Sequence, residues 1–401
     1  MISDLNEIWS DSGKEMKKSA IRELLKLTQR PEILSFAGGL PAPETFPIEQ
    51  LKEITAEVYD NEGAQALQYG ATEGDGKLRK ILVDRYKNQG LNIGVDNLIV
   101  LTSSQQGLDL VPKIFINRGD KIICGLPSYL GALQSFHNYG AEMVGIKLDA
   151  YGMSSELLGK KLEEMKQNGE KPKFVYIIPD FQNPAGITMP EWRRKEIIAL
   201  CHKYDVLILE DSPYREIRFE GAPQKTIFEL DNSGNVILLG TFSKIFVPGF
   251  RIGWVIANEA IIDKIVMAKQ ATDLCTPPFL QKIAANYLEK GYFDQNLGNI
   301  ISIYHSKRDA MLSALREYMP EGVTWTEPEG GLFLFVTLPS HMDAEKLFEI
   351  AIKENVAFVL GTVFHCDGSG KNTLRMNFSY MSEEQNKEGI RRLANAVKKL
   401  M

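Results

Sequence analysis

Cysteine is scarce in this chain. Four in 401 residues, Cys124, Cys201, Cys275 and Cys366, stand apart without a Cys-x-x-Cys pair. That spacing argues against a disulfide framework or a zinc site and fits a reducing compartment. A basic excess is also missing: 46 Lys and Arg against 52 Asp and Glu leave a net charge of −6. Nucleic acid is therefore not an expected partner. No apolar run approaches the roughly 20 residues that span a bilayer. The first twenty residues are polar, with no apolar core of a secretory leader. Repeats and low-complexity tracts are absent. Together these absences predict a cytoplasmic protein with neither a membrane nor a nucleic-acid partner.

What is present reads as an enzyme-sized α/β chain. Hydrophobic residues at 44% with 24% charged are ordinary for a soluble globular protein, and 401 residues are long for one core. Seven short apolar runs read as strands: Leu98–Thr102, Lys121–Cys124, Glu142–Leu148, Phe174–Ile178, Val206–Leu209, Val236–Leu239 and Ile252–Ile256. Helical stretches separate most of them, the pattern of a mostly parallel sheet covered on both faces. After Pro277–Pro278 the pattern changes. Helices at Phe279–Glu289 and Gly298–Tyr318, strands at Gly331–Leu338, Ala357–Leu360 and Thr373–Phe378, and a closing helix at Glu384–Met401 read as a smaller α+β unit. The N-terminal side offers an amphipathic helix at Ser19–Gln29, an irregular Gly/Pro loop at Phe36–Pro47, and helices at Leu51–Tyr59 and Lys77–Asn88. The expected division is 1–46, 47–285 and 286–401.

The most informative stretch is Asn235–Trp254, NVILLGTFSKIFVPGFRIGW. Lys244 sits among Phe242, Ile245, Phe246 and Val247. Burying an ammonium is costly, so such a lysine gives up its proton readily and can act as a Schiff-base nucleophile. Thr241, Ser243 and Arg251 beside it could hold a phosphate. An imine-forming lysine next to a phosphate cradle is what pyridoxal 5′-phosphate requires.

Ligands of open α/β sheets bind outside the carboxyl ends of the strands. The expected strand ends carry Ser104 and Gln105 at a helix start, Tyr129 as a ring to stack on a flat ligand, Asn183 in a turn, Asp211 with Tyr214, and Lys244. Asp211 is the candidate partner of a protonated pyridine nitrogen, and Asn183 and Tyr214 of the ring's phenolic oxygen. Taken singly, each has a plainer reading: a turn cap, a rim aromatic, a turn signal or an ordinary helix start.

NPAG at Asn183–Gly186, EDSPY at Glu210–Tyr214 and TFSKIFVPGFRIGW at Thr241–Trp254 resemble the fold-type I, class I/II pyridoxal-phosphate-dependent aminotransferases. SFAGGLPAPETFP, LQYGATEGDGKLRK and SSQQGLDL are similar to the branch holding 2-aminoadipate and kynurenine/aminoadipate aminotransferases. The resemblance covers essentially the whole chain. It implies a homodimer with shared sites, Tyr69 reaching the partner's phosphate, Arg375 clamping the substrate α-carboxylate, Gly39 admitting substrate close to the backbone, and Arg22 meeting an acidic side chain. Ser212 and Phe246 depart from the family pattern, and Phe246 would reshape the cofactor rim. About twenty polar residues precede the first matched helix, too few for the winged DNA-binding domain that some relatives carry.

The expected activity is ping-pong transfer of an amino group from an L-amino acid (2-aminoadipate, glutamate, leucine or an aromatic amino acid) to 2-oxoglutarate or another 2-oxo acid. A pyridoxal-phosphate lyase or decarboxylase, or a coenzyme-binding regulatory module, are the alternatives.

Overall fold

The computed structural model describes residues 4–16 and 30–401, without the side chain of Leu5. The helix expected at Ser19–Gln29, with Arg22, lies outside the described residues.

One large sheet dominates. Its strands in chain order are β1 (Leu98–Leu101), β2 (Lys121–Leu126), β3 (Glu142–Asp149), β4 (Gly152–Met153), β5 (Phe174–Ile177), β6 (Leu207–Asp211), β7 (Val236–Thr241) and β8 (Gly253–Ile256). Their spatial order is β1-β8-β7-β6-β5-β2-β3-β4. The five strands from β7 to β3 are parallel, and β8 runs antiparallel to both β7 and β1. All seven expected strands are present. The eighth, β4, is a two-residue return on the edge of β3, reached through Gly152 at φ +93°.

The apolar runs are continuous because both faces of the sheet are covered. Ile122, Cys124, Phe174, Tyr176, Leu209 and Ile237 enter one apolar cluster, while Ile123, Val175, Ile177, Ile208 and Val236 enter another. Successive side chains of a strand point to opposite faces, so alternation within one run fills two cores.

A second, antiparallel sheet contains β9 (Thr324–Trp325), β10 (Phe333–Thr337), β11 (Val359–Leu360) and β12 (Thr373–Asn377), in the order β9-β10-β12-β11. Helices Tyr292–Tyr318 and Glu383–Leu400 pack on each other beside it. The latter starts in a capping box between Ser382 and Gln385. The run expected at Ala357–Leu360 is not one strand. Val356–Ala357 pairs with Leu34–Ser35, and Val359–Leu360 pairs with β12, so the chain changes sheet at Phe358. The Leu34–Ser35 pairing fixes the start of the loop that carries Gly39.

Several helices depart from expectation, and Ala344–Lys353 was not expected at all. Leu51–Tyr59 extends to Ile48–Ala66, and the helix expected from Gly298 begins at Tyr292. Glu259–Gln270 was not foreseen, although Asn258 caps it by accepting from the Ala260 N–H at 3.0 Å. Among the described residues no helix is long and apolar enough to cross a membrane.

Candidate active site

The carboxyl ends of β2, β5, β6 and β7 open on the same edge of the sheet. Ser104, Gln105, Tyr129, Asn183, Asp211, Tyr214, Thr241, Ser243, Lys244 and Arg251 line one cavity there, of about 260 Å³. Ser103, Ile178 and Pro213 complete its walls. A separate cavity of about 300 Å³ shares only Pro213 and Thr241 with it, and no lysine lines it.

Lys244 follows β7, and its Nζ donates to the Gly39 carbonyl at 2.7 Å. Burial, with the Arg375 and Arg251 cations acting in the same direction, pushes its pKa down to about 8. A large fraction of the amine is therefore uncharged at mildly alkaline pH. At Gly39 a Cβ would come within 3.0 Å of the Phe333 ring. A larger residue there would crowd the wall that holds the amine.

Asp211 ends β6 and is buried. The Tyr176 hydroxyl donates to its Oδ2 at 2.8 Å. Its Oδ1 is buried without a partner. Burial raises the Asp211 pKa to about 7. A protonated pyridine nitrogen is a donor of the right charge for that bare oxygen, and it would hold the carboxylate ionised. The residues present thus fit pyridoxal phosphate.

The phosphate end is built on tight backbone packing. A Cβ at Gly253 would lie 2.4 Å from the Ser104 nitrogen and 2.5 Å from the Ser103 carbonyl carbon. The missing side chain lets β8 press against the first turn of helix Ser104–Phe115, whose free N–H groups favour an anion. Arg251 donates to Ser243 Oγ at 3.3 Å and to Ser103 Oγ at 2.5 Å. The Thr241 hydroxyl lies 2.9 Å from Ser243 Oγ and 3.0 Å from the Ile252 carbonyl, but it has one proton to give. Ser103 sits at φ +67°, turned to bring its hydroxyl to Arg251. Ser103 was not among the expected site residues.

Arg375 lies in β12 and does not itself line the cavity; it meets the cavity wall through Asn183. Its Nη1 donates to Asn183 Oδ1 at 3.0 Å and its Nη2 to the Ala37 carbonyl at 3.0 Å. The guanidinium lies over the Phe333 ring at 4.2 Å and the Phe364 ring at 5.0 Å. Its Nε is buried without a partner, and burial lowers its pKa to about 10. A buried cation held by neutral groups is a ready receptor for a carboxylate. The Asn183 amide in turn donates to the Tyr214 hydroxyl at 3.2 Å. Tyr129 is steadied by its hydroxyl, 3.3 Å from Gln105 Oε1.

One expectation needs revising. Phe246 does not line the cavity; it stacks on Tyr287 with ring centroids 4.4 Å apart, in the core. Tyr69 is 79% exposed and does not line the cavity of its own chain. Arg22 is outside the described residues. Tyr176, Phe333 and Phe364 were missed, since buried aromatics in or beside strands read as core.

Comparison with known proteins agrees with this geometry. Residues 37–393 match the family Aminotransferase class I and II. Aromatic-amino-acid aminotransferase 1 of Thermococcus litoralis is 49% identical over 99% of this chain and 96% of its own length. The kynurenine aminotransferase structure from Pyrococcus horikoshii superposes with a TM-score of 0.96 at 47% identity, covering 99% of this chain and 98% of that one. The α-aminoadipate aminotransferase of Thermus thermophilus, solved with N-(5′-phosphopyridoxyl)-L-leucine, gives 0.92 at 37% identity, covering 99% of each chain. The chain therefore belongs to the class I and II aminotransferases.

Proposed function

We propose that this pyridoxal-phosphate-dependent transaminase accepts both acidic and large apolar or aromatic L-amino acids, with 2-oxoglutarate as amino acceptor. The carrying observation is an amine with pKa about 8 and a carboxylate oxygen lacking a donor in one cavity, with an arginine held only by neutral groups against its Asn183 wall. The similar proteins support a broad range. One is named for aromatic amino acids, and another for aminoadipate while holding a leucine adduct.

When bound, the coenzyme supplies an electron sink for the carbanion left by α-proton loss. The chain's residues would divide the remaining work. Arg375 receives the α-carboxylate common to all substrates, and Asn183 orients Arg375 through their hydrogen bond. Lys244 would be the amine that holds the coenzyme and the base that moves the substrate's α-proton. Asp211 keeps the pyridine nitrogen protonated, and Tyr176 holds Asp211. Ser104, Gln105, Thr241, Ser243 and Arg251 hold the phosphate, Tyr129 stacks on the ring, and Tyr214 with Asn183 meets the phenolic oxygen. Gly39 gives the substrate a close backbone wall.

The exposed Tyr69 suits a homodimer in which it completes the partner's phosphate site. We assign residues 47–285 to a coenzyme-binding domain, 286–401 to a smaller domain, and 1–46 to a segment serving the substrate side, and we place the protein in the cytoplasm. Arg22 is proposed to select acidic side chains. Two measurements test the reading. Glutamate alone should move the visible band of the loaded protein to that of the amine form of the coenzyme. Arg22→Ala should raise KM for glutamate and 2-aminoadipate while sparing leucine; equal losses for all donors would refute that role.

A further inference from the structure

Two of the scattered cysteines meet in space. Cys124 is buried in β2, and Cys366 is half-buried just beyond the helical turn Gly361–Phe364. Their Sγ atoms are 3.8 Å apart, although 242 positions separate them in sequence. The approach has a local cause. Gly145 pairs with Cys124 across β2 and β3, and a Cβ at Gly145 would stand 3.1 Å from Cys366 Sγ. Only a residue without a side chain leaves room for the second sulfur.

We propose that Cys124 and Cys366 form an oxidative modification site, a thiol pair that peroxide closes to a disulfide, tying β2 to the segment that backs Arg375. The two thiols differ in character. The Cys124 thiol donates toward Cys366, which lowers the Cys366 pKa, while the same contact and burial raise that of Cys124. Cys366 is thus the more acidic and more accessible partner, the one that meets a solvent oxidant first. Among the described residues no group of three or more His, Cys, Asp and Glu is placed to hold a metal, so the pair is not a fragment of a metal site.

The chemistry balances with hydrogen peroxide. The Cys366 thiolate attacks one peroxide oxygen; the S–O bond forms, the O–O bond breaks, and the other oxygen leaves as water with the thiol proton. The Cys124 sulfur then attacks Cys366 Sγ; the S–S bond forms, the S–O bond breaks, and the hydroxide departs as water with the Cys124 proton. Two thiols lose two electrons and two protons, and peroxide becomes two waters. Closing 3.8 Å to the roughly 2.05 Å of a disulfide requires a movement of under ~2 Å. The turn that follows, with Gly368 and Gly370 at φ +73° and +78°, is better able to move than a strand inside the sheet.

The crosslink would be felt at the substrate side. The Phe364 carbonyl accepts from the Ser128 N–H at 2.8 Å, and its ring lies beneath the Arg375 guanidinium. Drawing Cys366 toward β2 therefore shifts one of the two rings that support Arg375. This kinetic consequence rests on the carboxylate role proposed for Arg375; formation of the crosslink does not.

The loaded protein is treated with limiting peroxide, quenched and alkylated, then examined by intact mass and peptide mapping. The expected result is loss of the two thiol hydrogens, a Cys124–Cys366 peptide, reversal by dithiothreitol, and alkylation of Cys201 and Cys275 only. Cys366→Ser should keep its mass. Cys124→Ala should stop at a Cys366 sulfenic acid that dimedone captures. Overoxidation of Cys366 in the unsubstituted protein, or full alkylation of both thiols, overturns the proposal. In the crosslinked protein KM should shift by one common factor for glutamate, leucine and phenylalanine. A crosslinked protein with unchanged KM overturns the link to Arg375 while leaving the modification site standing.

Discussion

Tyr176 donates a 2.8 Å hydrogen bond to one oxygen of Asp211 and leaves the other bare. The tyrosine divides the carboxylate into a tethered half and a half offered to the coenzyme. Tyr176→Phe should strand a second buried oxygen and weaken coenzyme affinity about ten- to hundredfold, since a hydrogen bond to a charged group contributes roughly 1.5–3 kcal/mol. Equilibrium titration with pyridoxal phosphate checks this. Asp211→Asn, which removes the charge itself, should cost kcat on the order of 10²–10³.

The two buried ionisable groups predict opposite pH trends in the coenzyme-free protein. Asp211 is raised from 3.8 to about 7, so the native state holds an extra proton between those values. Its contribution to stability is complete below about pH 4 and is lost as pH rises through 7. Lys244 is depressed from 10.5 to about 8, so the unfolded chain holds the extra proton in that window and stability rises with pH across it. Urea melts at stepped pH should show the first trend vanish in Asp211→Asn and the second in Lys244→Met.

Arg375→Lys keeps the charge but loses the planar fork that reaches Asn183 and Ala37 together. We expect kcat/KM to fall about 10²-fold, about 2.7 kcal/mol, by the same factor for glutamate, leucine and phenylalanine. A loss confined to one side-chain class would place Arg375 in side-chain selection instead.

Gly253→Ala should be costly for a single methyl group. The added carbon meets backbone atoms of Ser103, Ser104 and Gly240, none of which can turn aside. Overpacking of this kind destabilises by about 1–3 kcal/mol, and it would also push the helix start away from the phosphate. Differential scanning calorimetry and a pyridoxal phosphate titration should register both losses.

The sheet and most of the cavity were legible because polar residues after apolar strands leave a mark in sequence. Asp211 ends such a run, and Lys244 follows another three residues on. Tyr176 left none: it lies in FVYII, where a tyrosine reads as one more buried side chain, and its hydroxyl's partner lies on the neighbouring strand. Phe364 supports Arg375 across a fold contact that no spacing encodes. Helix Glu259–Gln270 ran on past the last strand without a glycine or proline to announce it. The cysteine pair escaped for the same reason as Tyr176, since only the return of the chain brings Cys366 to β2.

The cavity draws Ser104, Tyr129, Asn183, Asp211 and Lys244 from five separate stretches of chain. No fragment could own it. A molecule bound there acts as a clasp across the whole fold, and removing it should loosen distant parts of the protein at once. Resistance to heat and to proteolysis would then report how fully the population is charged with coenzyme, adding RT ln(1 + [L]/Kd) to global stability.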